Sequence, residues 1–466
     1  MKPCAGLTRI TTVILSAALL LTCLSVCQAK KSKKWTKPYA IVVSKATYSD
    51  SAWAEVVNKL KAKYNAQVFV YDFPNIESVR KQLSDYMPWY ICVVAKPNEA
   101  DRNLLRKASD TIKRLDDDPY EDSIWAVMTG YTAADAMRMV NAKNLTITKA
   151  LSGVGDGWLN WFDSGLAFSE CTQNMKTIKE HGKPAQSVHG PDDTTEEIVQ
   201  ALNTNQYQIM SSSGHATEHD WRMGYTYKNG AFRCKDGNLY GLSSTGKRYD
   251  ISTTNSKIYF SPGNCLIGHI PGDNCDCMSL AWMHNGANQF FGHIVIQGQP
   301  CWAWSMVEYF FGLQDRFSFA ETAYIYSQTL QFETAVLGHE YPCCTRDTKG
   351  TGFYGDPAWN AKIKKVATPV YDQDLKIKKI PNSNKYKIVF TVTVNTNGKL
   401  QSHPVALLPS RFQNYEIKKT DAEKVITTDN FIIMQIQSDN GPAFKKGDTR
   451  SVELVAEPCT KWRFVE

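Results

Sequence analysis

The sequence predicts an α/β chain: a mostly parallel sheet flanked by helices, followed by an all-β sandwich. Three observations carry this expectation. From Tyr39 to about Val140, short apolar runs alternate with segments whose apolar residues recur at helical spacing. Two later apolar runs end in loops that hold a histidine and a cysteine. From about Ala367 the pattern becomes a period-two alternation.

The elements follow in order. "YAIVVS" (Tyr39–Ser44) reads as a buried strand, and Trp53, Val56, Val57, Leu60 and Tyr64 then share one helical face. "QVFVY" (Gln67–Tyr71) is strand, and Ile76, Val79 and Leu83 mark a helix with Asn75 as its cap. "YICVVA" (Tyr90–Ala95) precedes a charged helix from about Glu99 to Leu115; "IWAVMTG" (Ile124–Gly130) precedes a helix over "AADAMRMV". Cys92, inside an apolar run, reads as a small buried hydrophobe. Strands over Tyr207–Met210 and Lys257–Phe260 come later, then a helix over "SLAWMH", a glycine turn at Gly286 and another strand. In the last hundred residues, Tyr386, Ile388, Phe390, Val392 and Val394 alternate with mostly polar residues. Asn397–Gly398 is a hairpin-turn signal, and "FIIMQIQ" and "SVELVAE" are further strands.

Composition limits the function classes. The 43% hydrophobic and 21% charged content is that of a globular protein. The net charge is +7, to which Lys2 and Arg9 contribute two. No dense basic stripe exists beyond "KKSKKWTK", which argues against nucleic-acid binding. Residues 1–29 read as an export signal: Lys2 and Arg9, the apolar run "TTVILSAALLLTCLSV", and "CQA" ending at Ala29. Acylation at Cys23 or Cys27 is the alternative reading of that segment. The run is short for a membrane span, and no later segment is long and apolar enough for one. The mature chain is therefore expected to be secreted, periplasmic or at the cell surface. Export permits disulfides among the remaining cysteines without specifying their connectivity.

The chemistry concentrates at two strand ends. "YQIMSSSGH" delivers His215 and "KIYFSPGNC" delivers Cys265. In an open parallel sheet, ligands bind at the carboxyl ends of the strands. A histidine and a cysteine at one such edge suit thiol catalysis. The thiolate attacks, and the imidazole takes up its proton and passes one to the leaving amine. Backbone N–H groups beside the pair are available to an oxyanion. A competing chemistry lies in "CLIGHIPGDNCDC", where Cys265, His269, Cys275 and Cys277 are all zinc-ligand types, though at spacings foreign to the common zinc modules. A loop tied by a disulfide from Cys275 or Cys277 to Cys301 or Cys234 is the third reading. "GVGDGW" (Gly153–Trp158) has the glycines of a phosphate loop without a strand before it or a helix after it.

"MSSSGHATEHDW", "IYFSPGNC", "SLAWMHNGANQFFGHIVIQGQPCWAWSM" and "YGDPAW", taken in that order, resemble the gingipain-type cysteine peptidases of the wider caspase-like group. The resemblance covers roughly Tyr39 to Trp359. It implies a caspase/gingipain-like α/β catalytic domain over residues 30–366 and an immunoglobulin-like sandwich over 367–466. It also implies a protein or peptide substrate and no cofactor or metal. Carried over by position, Cys265 is the nucleophile, His215 the acid/base, and the backbone N–H groups of Ala216 and Cys265 the oxyanion donors. Trp302 and Met306 would line the substrate pocket. The family prefers glycine where Ala216 stands. It also has a carboxylate that orients the histidine; Asp156, Asp163 and Glu170 lie in the right part of this chain, and no motif selects among them. The acidic residue of an Arg- or Lys-selecting pocket is likewise unplaced. The alternative expectation is a catalytically silent relative that binds proteins or glycans on the same scaffold.

Overall fold

The computed structural model describes residues 37–155, 158–204, 206–273, 275–296, 305–339, 350–438 and 441–464. The expected export signal, Asp156, Trp302, Cys301, Cys343 and Cys344 lie outside the described residues. Residues Lys37–Glu466 form one compact unit.

A twelve-stranded sheet organises that unit. Across it the strands run Gln67–Tyr71, Tyr39–Ser44, Tyr90–Val94, Ile124–Met128, Thr351–Gly355, Ala287–His293, Lys257–Asn264, Ile209–Gly214, Lys149–Gly153, Ser164–Phe168, Met175–Lys179 and Gln186–His189. Pairing is parallel except around Thr351–Gly355 on its Ala287–His293 side and at the last two strands. Parallel strands are buried on both faces, because their crossover helices cover both. In mid-sheet this is visible residue by residue. Met210, Tyr259 and Phe290 belong to one apolar cluster with helix Met278–His284, while Ile209, Ile258 and Phe291 belong to another with helix Phe319–Ala335.

The early α/β rhythm forms as the periodicity predicts: helix Ser51–Tyr64 buries Trp53, Val56, Val57 and Leu60. Two expectations there need correction. Asn75 makes no side-chain cap; a 3-10 turn, Ile76–Val79, leads into helix Arg80–Tyr86 instead. The charged helix is shorter than its composition implies, Arg102–Ile112, because the Asp101 carboxylate accepts from the Leu104 N–H and sets the start. "GVGDGW" does follow a strand, Lys149–Gly153, but what comes after it is a 3-10 turn, Leu159–Trp161, and not the α-helix whose N-terminus a phosphate loop uses.

The C-terminal strands form two antiparallel sheets. One contains Tyr371–Lys379, Tyr386–Val394, Thr449–Pro458 and Phe412–Thr420, and the other Val405–Leu407, Phe431–Gln435 and Lys424–Thr427, each in spatial order. Asn397–Gly398 closes no hairpin. Gly398 bridges to Phe444, and Tyr386–Val394 pairs with the strands before it and far after it. Ile388, Phe390, Val392, Ile432 and Met434 share an apolar cluster with Tyr120, Tyr309 and Tyr324 of the α/β part. Buried Arg411 joins the two parts further: it pairs with Asp429 at 2.5 Å and donates to the Asp122 carbonyl at 2.9 Å.

Candidate functional site

The histidine strand does not stop before its serines. It runs from Ile209 through Ser211, Ser212 and Ser213 to Gly214, and all three serines are buried. The cysteine strand likewise continues past Phe260 to Asn264. Pro262 lacks an N–H for the ladder, and the register shifts by one residue there: Ser211 pairs with Phe260, but Ser213 pairs with Gly263. The carbonyl of Pro262 faces the Nε2 of buried His293 at 3.1 Å. Burial holds the His293 imidazole near neutrality, pushing its pKa down to about 4 against the pull of the Pro262 and Gly350 carbonyls.

Past this bulge the two strands end level. Gly214 pairs with Asn264, so the next residues, His215 and Cys265, leave adjacent parallel strands at the same edge. Neighbouring strands lie about 4.8 Å apart, and that spacing is where the two backbones diverge. A buried polar network sets the level. Asn264 is fully buried; its Nδ2 donates to the Gly214 carbonyl at 2.8 Å. Its Oδ1 accepts from the hydroxyls of Ser212 and Ser261, each at 2.6 Å. Ser212 in turn accepts from the Tyr259 hydroxyl at 2.5 Å, since its own proton is committed to Asn264. The serines that looked out of place in a strand are the hydroxyls this network needs.

The flanking loops are tied down on both sides. Leu266, next after Cys265, has φ of 53°, a left-handed turn that is rare for a branched side chain, and its N–H donates to the Val295 carbonyl at 3.0 Å. Ala216 forms an antiparallel bridge with Trp221, made by the N–H groups of Thr217 and Arg222, the latter to the His215 carbonyl at 2.9 Å. In such a pair the bridged residue's own N–H points to the opposite side, so the Ala216 N–H faces away from Trp221. Trp221 is fully buried, and its indole N–H donates to the Ser213 carbonyl at 2.9 Å. The Glu218 carbonyl accepts the first N–H of helix Met278–His284 at 2.7 Å, which joins the histidine loop to the segment after the cysteine.

His215 is exposed, with its ring tilted against Tyr225 at a centroid distance of 4.8 Å. Cys265 is half-buried and carries a thiol, as do Cys234, Cys275 and Cys277. Cys234 is therefore bridged to neither Cys275 nor Cys277, which corrects both Cys234 forms of the disulfide-loop reading. Burial pushes the Cys277 thiol up to about 11 and the Cys234 thiol up to about 12. Both are poor nucleophiles near neutrality.

Other sequence-predicted residues fall elsewhere. Met306 is fully buried in the cluster that contains Phe310, Phe311 and Phe319. So placed, it offers no wall to a substrate, which corrects its assignment to a pocket. Glu170 gives its carboxylate to the Gly155 N–H at 2.7 Å, while its carbonyl accepts from the Tyr225 N–H at 2.6 Å. It thus holds the backbone of the residue whose ring packs on His215. Asp163 is taken up by Lys364 at 2.7 Å. Among the described residues, the donors that converge closely enough for one metal ion are Asp116, Asp118 and Asp122, not the cysteines and histidine of the loop after Cys265. Burial, more than mutual repulsion, pushes all three carboxyls up: Asp118 to about 8, Asp116 to about 6 and Asp122 well above the usual carboxylate range. "DDDPYED" shows the acidic residues in the sequence, but their convergence depends on the loop's turn.

No protein-family model matches the chain, and no curated protein does. Among solved structures it is similar to the complex of Porphyromonas gingivalis RgpB pro- and mature domains, at 11% identity and a TM-score of 0.44, over 86% of this chain and 93% of that one. At that identity and score, the likeness bears on neither activity nor the roles of residues.

Proposed function

We propose that the chain is an exported cysteine endopeptidase in which Cys265 attacks the peptide carbonyl and His215 manages the proton. The observation that carries this reading is the pairing of Gly214 with Asn264, which delivers the two residues side by side at one sheet edge. The step sequence is simple. His215 accepts the thiol proton as sulfur bonds to the carbonyl carbon; the C–N bond then breaks, and the proton goes to the departing amine. Water hydrolyses the acyl-enzyme. The Ala216 N–H, turned away from its bridge partner, suits one oxyanion donor, and the Cys265 N–H the other. Leu266 in the left-handed region gives Cys265 a sharp strand-to-loop turn, a form of local strain found at reactive residues.

The same reading takes residues 1–29 as an export signal, 30–366 as the catalytic domain and 367–466 as an immunoglobulin-like module. The substrate is then a protein or peptide, with Trp302 beside it.

Alkylation of the full chain with an iodoacetamide probe, followed by peptide mapping, tests the nucleophile. Cys265 is expected to react ahead of Cys171, Cys234 and Cys275. Cys265→Ala and His215→Ala are each expected to lower cleavage of a peptide library by roughly 1,000-fold or more, the scale on which removal of one member of a catalytic unit acts. Indiscriminate labelling with no cleavage by the native chain would establish the silent, ligand-binding alternative.

A further inference from the structure

Between the histidine and cysteine strands the chain builds a small antiparallel sheet, Asp220–Arg222, Ala231–Lys235, Asn238–Leu242 and Arg248–Asp250. Alternation along its strands separates two faces. Trp221, Phe232 and Leu239 are buried against the main body, so Arg222 and Arg233 occupy the outer face. A cleft of about 610 Å³ opens there, with His215 at one end and Tyr225, Arg222, Lys228 and Arg233 among its lining residues. It has the volume of a ligand site and room for a few peptide residues. Among the described residues, its lining includes three cationic side chains and no carboxylate. Asp220, the cross-strand neighbour of Arg233, accepts a hydrogen bond from the Thr217 hydroxyl at 2.9 Å and is not part of the wall.

We infer that this cleft binds an acidic peptide segment, and that it does so on the leaving-group side of the cut bond. The inference rests on the peptidase reading of His215 and Cys265. The charge argument is direct: three exposed cations, with no carboxylate among the described residues that line the cleft, attract Asp and Glu side chains and repel Lys and Arg. The side follows from the proton transfer. The imidazole serves the departing amine, so the chain beyond that amine passes His215 and enters the cleft it borders. Tyr225, packed on His215, supplies an apolar floor to the same passage.

The test profiles cleavage of a peptide library by the full chain, native and Arg222→Gln/Arg233→Gln. Enrichment of Asp and Glu just after the cut is expected. The double variant should lower the acidic-to-neutral ratio of kcat/KM by roughly 4- to 25-fold, from about 2- to 5-fold per exposed charge pair. Raising the salt should reduce the native ratio in the same direction. Cleavage without acidic enrichment, or with enrichment that the double variant leaves intact, overturns the cleft assignment and leaves the peptidase reading standing. If no peptide is cleaved, that reading falls and the cleft is judged by binding alone, using a fluorescein-labelled Asp/Glu peptide and Cys265→Ala protein. Salt-sensitive binding that the Arg222→Gln/Arg233→Gln substitutions abolish supports it, and absence of binding refutes it. Heparin binding more tightly than the peptide assigns the cleft to sulfated glycans and overturns the proposal.

Discussion

Replacing Asn264 with alanine tests whether a buried side chain sets the edge at which His215 and Cys265 meet. Asn264 makes three hydrogen bonds: from the hydroxyls of Ser212 and Ser261 and to the Gly214 carbonyl. The substitution leaves two donors and one acceptor buried without partners. Each stranded group costs about 1–3 kcal/mol. Hydroxyl rotation recovers part of that, since the Tyr259 hydroxyl is an alternative acceptor within reach of Ser212. The expected loss is therefore about 3–5 kcal/mol, read from the midpoint of urea unfolding. Ser261→Ala removes one donor and leaves Asn264 its other two bonds, so about 1 kcal/mol is expected there. The functional readout is the rate of Cys265 alkylation and its dependence on pH. Freed from Asn264, the Gly214 carbonyl no longer holds the two loops level. A displacement near 1 Å at a reacting pair reduces rates by about 100-fold, so a 10- to 100-fold fall is expected. If Asn264→Ala keeps its unfolding midpoint within the error of the native chain and alkylates at the native rate, the network does not position the site.

Three further expectations concern the same framework. Buried Lys257 opens the cysteine strand and donates to the Asn285 carbonyl at 2.8 Å; burial and then nearby Arg138 lower its pKa to about 7. Between pH 7 and 10 the unfolded lysine keeps a proton that the folded one has shed, so stability should rise with pH across that window by up to about 5 kcal/mol. Lys257→Met should flatten the rise, and an unchanged pH profile would refute the assignment. His293 runs in the acid range: with its folded pKa near 4, the unfolded state binds the extra proton as pH falls from about 6.5. Stability should drop by about 3 kcal/mol towards pH 4, and His293→Gln should remove that share of the drop. Gly153→Ala places a Cβ 2.4 Å from the Trp221 ring. A loss of about 1–3 kcal/mol is expected from overpacking, with the tryptophan fluorescence maximum moving to the red as the indole is pushed outward.

Much of the architecture was readable because periodicity is a local property. Tyr39–Ser44, Ser51–Tyr64 and Gln67–Tyr71 form where apolar spacing places them. Tyr386–Val394 alternates as a strand with one buried face should. What misled was polar sequence inside strands. Ser211–Ser213 and Ser261–Asn264 read as loop, since propensity scores a hydroxyl as a chain end, whereas here the Ser212 hydroxyl finds Tyr259 and Asn264 on the neighbouring strand and Ser261 finds Asn264 on its own. Asn397–Gly398 failed for the opposite reason. Its turn chemistry is genuine, but a turn closes a hairpin only if two strands flank it, and the pairing went to Thr449–Pro458.

The candidate site divides in the same way. The sequence by itself determined the residue types, one imidazole and one thiol each following a strand, and the α/β rhythm that sends such strand ends to a common edge. Only the tertiary structure decided that the two strands are neighbours, that a bulge at Pro262 brings Gly214 level with Asn264, and that Met306 packs into the core. It alone turned Arg222 and Arg233 to one face beside His215. The physical reason is that strand order, register and facing depend on contacts between residues far apart in the chain. Spacing along the chain encodes only what each segment does locally.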